Sequence, residues 1–389
     1  MEKVRLGILG VGNMGTAHLK NIKEGKCPEI EVTAVCDLKE DRLNYVKENY
    51  GDGIALYTDA EAMLASGLID ALLVAVPHYD HPRFVMAGIE KGLHVMCEKP
   101  AGVYTKHVKE MNAYAKAHNV KFGMMFNQRT NCIYRKMKEI VASGELGAIK
   151  RTNWIITDWY RPQAYYDSGN WRATWKGEGG GVLLNQCPHN LDLWQWICGM
   201  PKKVTAFMQF GKWHDIEVED DVTAVVEYEN GATGTFITTT GDTPGTNRFE
   251  ITLEGGKLVA EGGKLYMWKL AMLEPEFSKI NDYPFASPDK VYSEVETDGK
   301  HEKHPGVLNA FAGAILRDEP MIADGTEGIN GLTLSNAMHL SAWLGKTVEL
   351  PFDDELYYEE LMKRVATSRR KTNVKEVVAN AADTFSGSK

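Results

Sequence analysis

The organisation of this chain follows from the stretch Gly7-Ile8-Leu9-Gly10-Val11-Gly12-Asn13-Met14-Gly15. An apolar run at residues 4–9 leads into three spaced glycines, Gly10, Gly12 and Gly15, and a helix-like run follows at once. In the pattern G-x-G-x-x-G, the first glycine permits a tight turn and the second lets backbone approach a pyrophosphate. The third lets the new helix pack close to the strand. The stretch therefore predicts a strand, turn and helix that bind a dinucleotide.

An acidic residue completes this pattern. A second apolar run, residues 31–36, ends at Asp37, about 20 residues after the last glycine, where a carboxylate accepts hydrogen bonds from a ribose 2′-hydroxyl. Together these features favour dinucleotide binding over a glycine-rich turn of some other α/β domain. We expect the cofactor to be NAD, because Asp37 would repel the 2′-phosphate of NADP. The amides of Asn13 and Met14 are expected to face the pyrophosphate.

Composition and charge exclude several classes of protein. The chain has 389 residues, 43% hydrophobic and 25% charged, as in globular proteins of two or three domains. Its net charge of −9 argues against a nucleic-acid partner, and no apolar run approaches the ~20 residues of a membrane span. Six cysteines without a C-x-x-C pair, and no apolar leader before the first strand, favour a reduced, cytoplasmic protein. His78 and His81 have no third ligand nearby, so no metal site is expected.

The first third of the chain alternates apolar runs with helix-like segments, a pattern typical of βαβ units around a parallel sheet. The predicted strands are residues 4–9, 31–36, 71–76, 94–97 and 121–125. Ligands of such sheets lie beyond the carboxyl ends of the strands. Pro77 and His78 follow the third of these strands, and Glu98 and Lys99 follow the fourth. We therefore expect these four residues to line the cofactor crevice.

After about residue 147 the runs become β-branched and partly alternating, which predicts a mostly antiparallel sheet. The predicted strands are residues 151–157, 203–210, 222–229, 233–240 and 249–253. Asn230-Gly231 predicts a tight hairpin, because this pair accepts the positive φ angles of the turn. Later helices are predicted at residues 306–316, 328–344 and 354–370. A polar tail follows, and its residues 386–389 are expected to be disordered or a cloning remnant.

A second candidate site spans residues 154–192. Its first part contains seven aromatic residues: Trp154, Trp159, Tyr160, Tyr165, Tyr166, Trp171 and Trp175. Gly179-Gly180-Gly181 then lets the chain pass close against another element, and Asn185 and His189 follow. In a continuous helix these two would share a face, although Pro188 opposes a helix there unless it lies in the first turn. Aromatic residues on a sheet are usually core, and a lone histidine is usually structural, but their combination with a dinucleotide site favours catalysis by His189.

These motifs together resemble the glucose–fructose oxidoreductase, inositol dehydrogenase and MocA family (Gfo/Idh/MocA). The resemblance rests on the glycine pattern, on Glu98-Lys99-Pro100, on Trp171-Arg172, and on the glycine triplet that leads to His189. It implies an α/β Rossmann domain at residues 1–124 and an α+β domain at residues 125–389 with an open, mostly antiparallel sheet. It also implies pyridine-nucleotide chemistry on sugars or cyclitols, in homodimers or homotetramers that pair through that sheet.

The resemblance further implies roles for single residues. Lys99 matches the family's catalytic lysine and His189 its catalytic histidine, while Trp171 and Arg172 match positions near the nicotinamide and the substrate. The family usually has an aspartate four residues before the histidine. This chain has Asn185, whose amide cannot take a proton but can orient the substrate or His189.

The predicted function is NAD-dependent oxidation of a secondary hydroxyl group of a sugar, glycoside or cyclitol. His189 would take the hydroxyl proton, and Lys99 would stabilise the alkoxide and keep His189 neutral. Tyr160, Arg161 and Arg172 are expected to bind the substrate, a ring with a bulky or apolar attachment. Two alternatives stay open. One is a glycosidase or lyase that oxidises transiently and recycles NAD; the other is a non-catalytic NAD-sensing protein, which the intact lysine and histidine disfavour.

Overall fold

The computed structural model describes residues 2–369, 371 and 374, and its first part is a six-stranded parallel sheet. Its strands are β1 (Val4–Leu9), β2 (Ile30–Cys36), β3 (Ala55–Tyr57), β4 (Ala71–Val74), β5 (His94–Cys97) and β6 (Phe122–Met124). The helices beside them are α1 (Asn13–Lys23), α2 (Glu40–Tyr50), α3 (Ala60–Leu64), α4 (His81–Glu90) and α5 (Thr105–Lys116). The sheet order β3-β2-β1-β4-β5-β6 is that of a Rossmann fold, as the βαβ pattern predicts.

Alternate residues of these strands enter two separate cores, one on each face of the sheet. In β4, Ala71 and Leu73 face one core while Leu72 and Val74 face the other, and all four are buried. A strand covered on both faces needs a continuous apolar run, which is why this strand was recognisable in the sequence. Strand β3 was not predicted, because its three partly buried residues at the sheet edge carry no such pattern.

The second sheet has nine strands and is open. They are β7 (Ile149–Ile156), β8 (Lys203–Phe210), β9 (Glu219–Glu227), β10 (Thr233–Thr239), β11 (Asn247–Leu253), β12 (Gly256–Glu261), β13 (Lys264–Leu270), β14 (Lys290–Glu294) and β15 (Val348–Glu349). Their order is β14-β13-β12-β11-β7-β10-β9-β8-β15. Among the described residues every neighbouring pair is antiparallel except β7–β10, so the prediction of a mostly antiparallel sheet is confirmed. The predicted hairpin joins β9 to β10, with Gly231 at φ 82°.

Helices cover one face of this sheet and connect it to the first. They are α6 (Cys132–Ser143), α7 (Gln163–Tyr166), α8 (Pro188–Cys198), α9 (Glu274–Ile280), α10 (Lys303–Arg317), α11 (Gly328–Leu344) and α12 (Asp354–Thr367). Helices α8 and α11 pack together, and α11 packs on β8. Helix α10 instead returns to the first sheet, where Val307 and Phe311 share a core with Ile8 of β1. Helix α12 ends at Thr367, whereas the predicted helix ends at residue 370. Residue 370 and most of the predicted tail lie outside the described residues.

The opposite face of the second sheet is uncovered. Phe207 of β8 and Val225 of β9 point from this face and are 70% and 44% exposed. No helix within residues 2–369 combines the length and the hydrophobicity that a bilayer span requires. All six cysteines carry free thiols.

Candidate active site

The glycine loop after β1 has the shape of a phosphate cradle. Gly10 has φ 93°, and a Cβ on it would lie 2.5 Å from a backbone carbonyl oxygen beyond β4. A Cβ on Gly15 would lie 1.9 Å from the carbonyl oxygen of Gly10, whereas a Cβ on Gly12 would meet nothing within 4 Å. Gly12 precedes α1, and no side chain in the described part of the protein caps this helix. The first amides of α1, those of Asn13 and Met14, are therefore oriented to bind an anion such as a pyrophosphate.

Asp37 lies directly after β2, beside the glycine loop. Its carboxylate accepts hydrogen bonds from the backbone amides of Val11 at 2.8 Å and Lys39 at 2.9 Å. The two amides hold the side chain at the carboxyl edge of the sheet, where a dinucleotide presents its ribose. The open cradle at Gly12 and this fixed acid are the features that NAD requires, so the residues of this edge fit the cofactor.

Pro77 and His78 lie where the two domains meet. Pro77 precedes a 3-10 turn, His78–Asp80, and the His78 ring meets the Trp171 ring edge-on with centroids 5.8 Å apart. The Nδ1 atom of His78 also lies 3.4 Å from the carbonyl oxygen of Glu178. Burial, with the nearby His81 and Lys99, lowers the pKa of His78 well below its ordinary value. A neutral imidazole and an indole thus line the crevice between the domains.

Glu98 is buried and paired with a histidine of α1. The Oε1 atom of Glu98 lies 2.6 Å from Nε2 of His18, whose ring meets the His304 ring edge-on. Burial alone would raise the pKa of Glu98, but the His18 hydrogen bond and nearby positive charge lower it to about 2. Burial lowers the pKa of His304 to about 4. Glu98 is therefore a charged group held beneath the crevice, one residue before Lys99.

Lys99 reaches from the end of β5 to the second domain. Its Nζ atom donates a 2.9 Å hydrogen bond to the main-chain carbonyl oxygen of Asn185. Burial lowers the pKa of Lys99, while the carboxylates of Glu98 and Glu178 oppose that effect. The ammonium group is thus fixed in the interdomain crevice by a contact that leaves further N–H donors for a ligand.

His189 is the second residue of α8 and is 4% exposed. Its ring packs edge-on against Phe126, with centroids 6.3 Å apart. Among the described residues, its buried Nδ1 atom has no hydrogen-bond partner. Burial first, and then the charge of Lys99, lower the pKa of His189 well below its ordinary value. The structure therefore places a neutral imidazole, able to accept a proton, within the electrostatic reach of Lys99.

No continuous helix runs through Asn185 and His189; Pro188 instead lies in the first turn of α8, the case in which the sequence allows a proline there. Helix α8 begins at Pro188, so Asn185 lies in the turns before it. Proline lacks a backbone N–H and is favoured at the first helical position, where no such donor is needed, so α8 starts there. Asn185 nevertheless belongs to the site through its carbonyl contact with Lys99, and its side-chain amide donates to the carboxylate of Glu178.

The aromatic stretch contains both core residues and an exposed residue. Trp154, Tyr166 and Trp175 are at most 6% exposed, and Trp175 packs against Trp343 of α11. Tyr160, in contrast, is 45% exposed. Sequence reasoning did not separate these two groups, because both types of residue follow one another without a regular period.

Tyr165 is a site residue that the sequence did not single out. Its hydroxyl group accepts hydrogen bonds from Arg172 at 2.9 Å and Gln186 at 3.2 Å. The guanidinium groups of Arg172 and Arg161 lie over its ring at 4.6 and 5.2 Å from the centroid. Two of the predicted substrate-binding residues are thus brought together by Tyr165. An aromatic residue seven positions before an arginine is no motif, so the sequence could not reveal this pairing.

The glycine triplet allows the predicted close approach. A Cβ on Gly179 would lie 2.3 Å from the Val103 side chain, and one on Gly181 would lie 2.0 Å from the carbonyl oxygen of Glu219. Glu219 in turn accepts hydrogen bonds from the amides of Gly181 and Leu183. The triplet therefore fixes the segment that carries Glu178 and Asn185 against the first domain and the second sheet.

The described end of the chain reaches the same region. Glu217 accepts hydrogen bonds from the Ser368 hydroxyl group, at 2.6 Å, and from the Arg369 amide. Lys371 then donates a 2.7 Å hydrogen bond to the carbonyl oxygen of Tyr166. Burial lowers the pKa of Lys371, although the neighbouring Asp167 opposes that effect. Sequence reasoning did not detect this lysine, because it lies 205 residues from Tyr166, which it contacts.

Asp192, which follows His189 on α8, is engaged elsewhere. Its carboxylate accepts hydrogen bonds of 2.8 and 2.7 Å from Nε and Nη2 of Arg129, and both side chains are buried. A carboxylate held by two guanidinium N–H groups is a structural ion pair, and it is a poor candidate for a catalytic base.

Two family models match the chain. Residues 4–126 match an oxidoreductase family with an NAD-binding Rossmann fold, and residues 134–259 match the GFO/IDH/MocA C-terminal domain. Residues 4–126 are therefore an NAD-binding domain, and the two matched regions include the glycine loop, Asp37, Lys99, Asn185 and His189.

The similarity of this chain to named proteins extends over different shares of its length. The chain is 28% identical to the rhizopine catabolism protein MocA of Rhizobium meliloti over 51% of this chain and 58% of that protein, so it spans less than two thirds of this relative. It is 26% identical to D-xylose 1-dehydrogenase (NADP(+)) 2 of Haloferax volcanii over 88% of this chain and 99% of that protein. The solved structure of the WlbA dehydrogenase from Bordetella pertussis, in complex with NADH and UDP-GlcNAcA, is 26% identical, with a TM-score of 0.77 and coverage of 90% and 100%.

Proposed function

The chain belongs to the Gfo/Idh/MocA family of oxidoreductases, and we propose that it is an NAD-dependent dehydrogenase that oxidises a secondary hydroxyl group of a sugar, glycoside or cyclitol. One observation carries this proposal. Lys99 donates to the chain four residues before His189, and its charge acts on the His189 ring. A fixed ammonium and a neutral imidazole in one crevice are the two groups that deprotonation of an alcohol requires.

The two groups have different tasks. His189 accepts the hydroxyl proton at Nε2, because its Nδ1 atom is fully buried. Lys99 donates a charge-assisted hydrogen bond to the substrate oxygen and stabilises its developing negative charge. NAD, when bound, accepts a hydride from the carbon that carries this oxygen. His78 and Trp171 exclude water from the side of the crevice where the domains meet.

The substrate class is supported by the wall that faces this pair. Arg161 and Arg172 flank the Tyr165 ring, and Tyr160 leaves much of its ring in solvent. Planar groups of this kind cover the apolar C–H face of a sugar, while guanidinium groups bind its hydroxyls. One relative is named for dehydrogenation of D-xylose, and another is solved with NADH and a nucleotide sugar, which supports a carbohydrate substrate here.

A substrate panel tests the proposal. The purified protein is incubated with NAD and with free sugars, inositols and glycosides, and both NADH and released aglycone are followed. A dehydrogenase accumulates NADH in proportion to the oxidised sugar. Aglycone release without net NADH would contradict the proposal and favour transient oxidation followed by elimination. The variant His189→Ala should lower the rate of NADH formation by about 10²–10⁴-fold, whereas His118→Ala, at an exposed position just after α5, should leave it unchanged.

We further propose that two copies pair through the uncovered face of the second sheet. The exposed Phe207 and Val225 lie together on this face. Burial of such side chains against a second copy would release them from water. Analytical ultracentrifugation of the wild type and of Phe207→Asp tests this: the wild type should sediment as a dimer or tetramer, and the variant should shift toward monomer.

A further inference from the structure

Glu178 is a buried carboxylate next to the proposed reacting groups. It directly precedes the glycine triplet and is 2% exposed. One oxygen accepts a hydrogen bond from the Asn185 side-chain amide, and the other accepts a 2.5 Å hydrogen bond from the Ala173 backbone amide. Both donors are uncharged. Burial of a carboxylate that is bound only by neutral donors is unfavourable for the free energy of folding. Stability therefore does not explain why a glutamate occupies this position.

The charge of Glu178 acts on the site through space. Burial raises the pKa of Glu178, while the guanidinium group of Arg172 lowers it. In the other direction, burial lowers the pKa of Lys99, and Glu178 is one of two carboxylates that raise it. The other is Glu98, which is already paired with His18. Glu178 is therefore the carboxylate whose charge stabilises the ammonium form of Lys99 from the side of the second domain.

Asn185 connects the two groups directly. Its side-chain amide donates to Glu178, and its main-chain carbonyl oxygen accepts the 2.9 Å hydrogen bond from Lys99. Its side-chain oxygen faces the Tyr165 hydroxyl group at 3.5 Å. If the Glu178 carboxylate were lost, the Asn185 amide would lose its acceptor and the segment before α8 would lose one of the contacts that fix it. The carbonyl oxygen that holds Lys99 belongs to that segment.

We propose that Glu178 is a positioning residue for the dehydrogenase reaction: it holds Asn185 and, through the main chain of Asn185, the ammonium group of Lys99. Position 185 carries an uncharged amide, and Glu178 supplies the negative charge one hydrogen bond away. Its effect on turnover rests on the proposed function, whereas its effect on Lys99 does not.

The test moves the carboxylate from position 178 to position 185. Glu178→Gln should lower kcat by about 10–100-fold, the range typical of partners one hydrogen bond removed from a reacting group. Affinity for NAD should be nearly unchanged, because the carboxylate binds Ala173 and Asn185 and touches neither the glycine loop nor Asp37. Asn185→Asp should also lower kcat near neutral pH, because two facing carboxyl groups would share a proton. The double variant Glu178→Gln/Asn185→Asp again has a single carboxylate and should regain much of the lost kcat.

A second measurement follows Lys99 without any substrate. The protein is reductively methylated with 13C-formaldehyde, the Lys99 resonance is assigned by its absence in Lys99→Arg, and its pKa is measured by NMR titration. Glu178→Gln should lower this pKa. Asp220→Asn is the matched control, because Asp220 is also a buried carboxylate but binds the backbone amides of Lys212, Trp213 and His214. It should lower Tm without moving the Lys99 titration.

The outcomes separate the two proposals. A wild type that turns over no sugar or glycoside removes the proposed function, yet the Lys99 titration still tests Glu178. A Glu178→Gln protein with normal kcat and an unmoved Lys99 titration overturns the positioning role. So does a Glu178→Gln protein that only loses stability, as the Asp220→Asn control is expected to do. If Glu178→Gln does not fold, Asn185→Asp alone decides, and an unchanged pH profile of kcat in that variant overturns the proposal.

Discussion

The backbone amide of Val11, inside the glycine loop, donates a 2.8 Å hydrogen bond to the carboxylate of Asp37 at the end of β2. This bond joins the part of the loop that faces phosphates to the part of the sheet that faces ribose. It fixes a negative charge where NADP would place its 2′-phosphate.

Replacement of Asp37 by Ser should therefore reduce the difference in affinity between NAD and NADP. The like-charge repulsion disappears, while Ser can still bond to a ribose hydroxyl. Isothermal titration of both cofactors measures the change, and Asp52→Ser, in an exposed turn, is the control. Tighter binding of NADP than of NAD by the wild type would contradict the assignment of Asp37.

Lys99→Ala and His189→Ala should each lower kcat by about 10²–10⁴-fold, the usual contribution of a positioned acid–base group. NAD should still bind, because neither side chain belongs to the glycine loop. Stopped-flow measurement of NADH formation, with titration of NAD binding in parallel, checks both statements. Near-normal turnover by His189→Ala would contradict the assignment of His189 as the base. Asp167 would then be the candidate base, because Asp192 is already bound to Arg129.

The pH profile of oxidation should reflect the depressed pKa of His189. The base must be neutral to accept a proton. Burial, followed by the charge of Lys99, lowers the pKa of His189. The value of kcat/KM should therefore stay at its maximum at pH values below the ordinary histidine pKa. Lys99→Met removes the second-largest of these causes and should raise the His189 pKa, which NMR of the imidazole carbons can measure. A fall of kcat/KM already near the ordinary histidine pKa would contradict the assignment.

The same shift predicts the stability of the protein in acid. A histidine with a lower pKa in the folded than in the unfolded state binds fewer protons when folded. Its contribution to stability is fully present above the ordinary histidine pKa and is lost as the pH falls toward the depressed value. Chemical denaturation across this range should show a smaller decrease for His189→Ala than for the wild type.

Two aromatic substitutions should separate packing from substrate binding. Trp175→Ala should lower the free energy of unfolding by about 3–5 kcal/mol, because Trp175 is buried against Trp343. Tyr160→Ala should raise KM for a glycoside and leave Tm nearly unchanged. Phe285→Ala, 85% exposed, is the control for loss of an exposed ring. An unchanged KM in Tyr160→Ala would show that this ring does not meet the substrate.

The sequence predicted the elements whose patterns are local. The glycines after β1 have to be glycines because a Cβ would collide with backbone at Gly10 and Gly15, so their spacing, with the strand before and the helix after, revealed the fold. The strand β4 was recognisable because both its faces are buried. Strand β3 has three partly buried residues and no pattern, and it was missed.

The site was predicted less completely, because its contacts join distant parts of the chain. Lys99 and His189 follow from motifs, but the hydrogen bond of Lys99 to the main chain of Asn185 involves no side-chain type that a sequence could reveal. Glu178 precedes three glycines, and nothing in that order of residues predicts burial. Only its burial against Ala173 and Asn185 distinguishes it.

Helix α10 has a consequence for how this protein could be divided. It comes after the second sheet in the chain, yet Val307 and Phe311 complete a core of the first. The NAD-binding unit is therefore discontinuous in sequence: a fragment that stops at residue 124 would leave the apolar surface under Phe311 in water. Domain exchange with a relative would need three junctions, one before β7 and one on each side of α10, because β14 before it and β15 after it both belong to the second sheet.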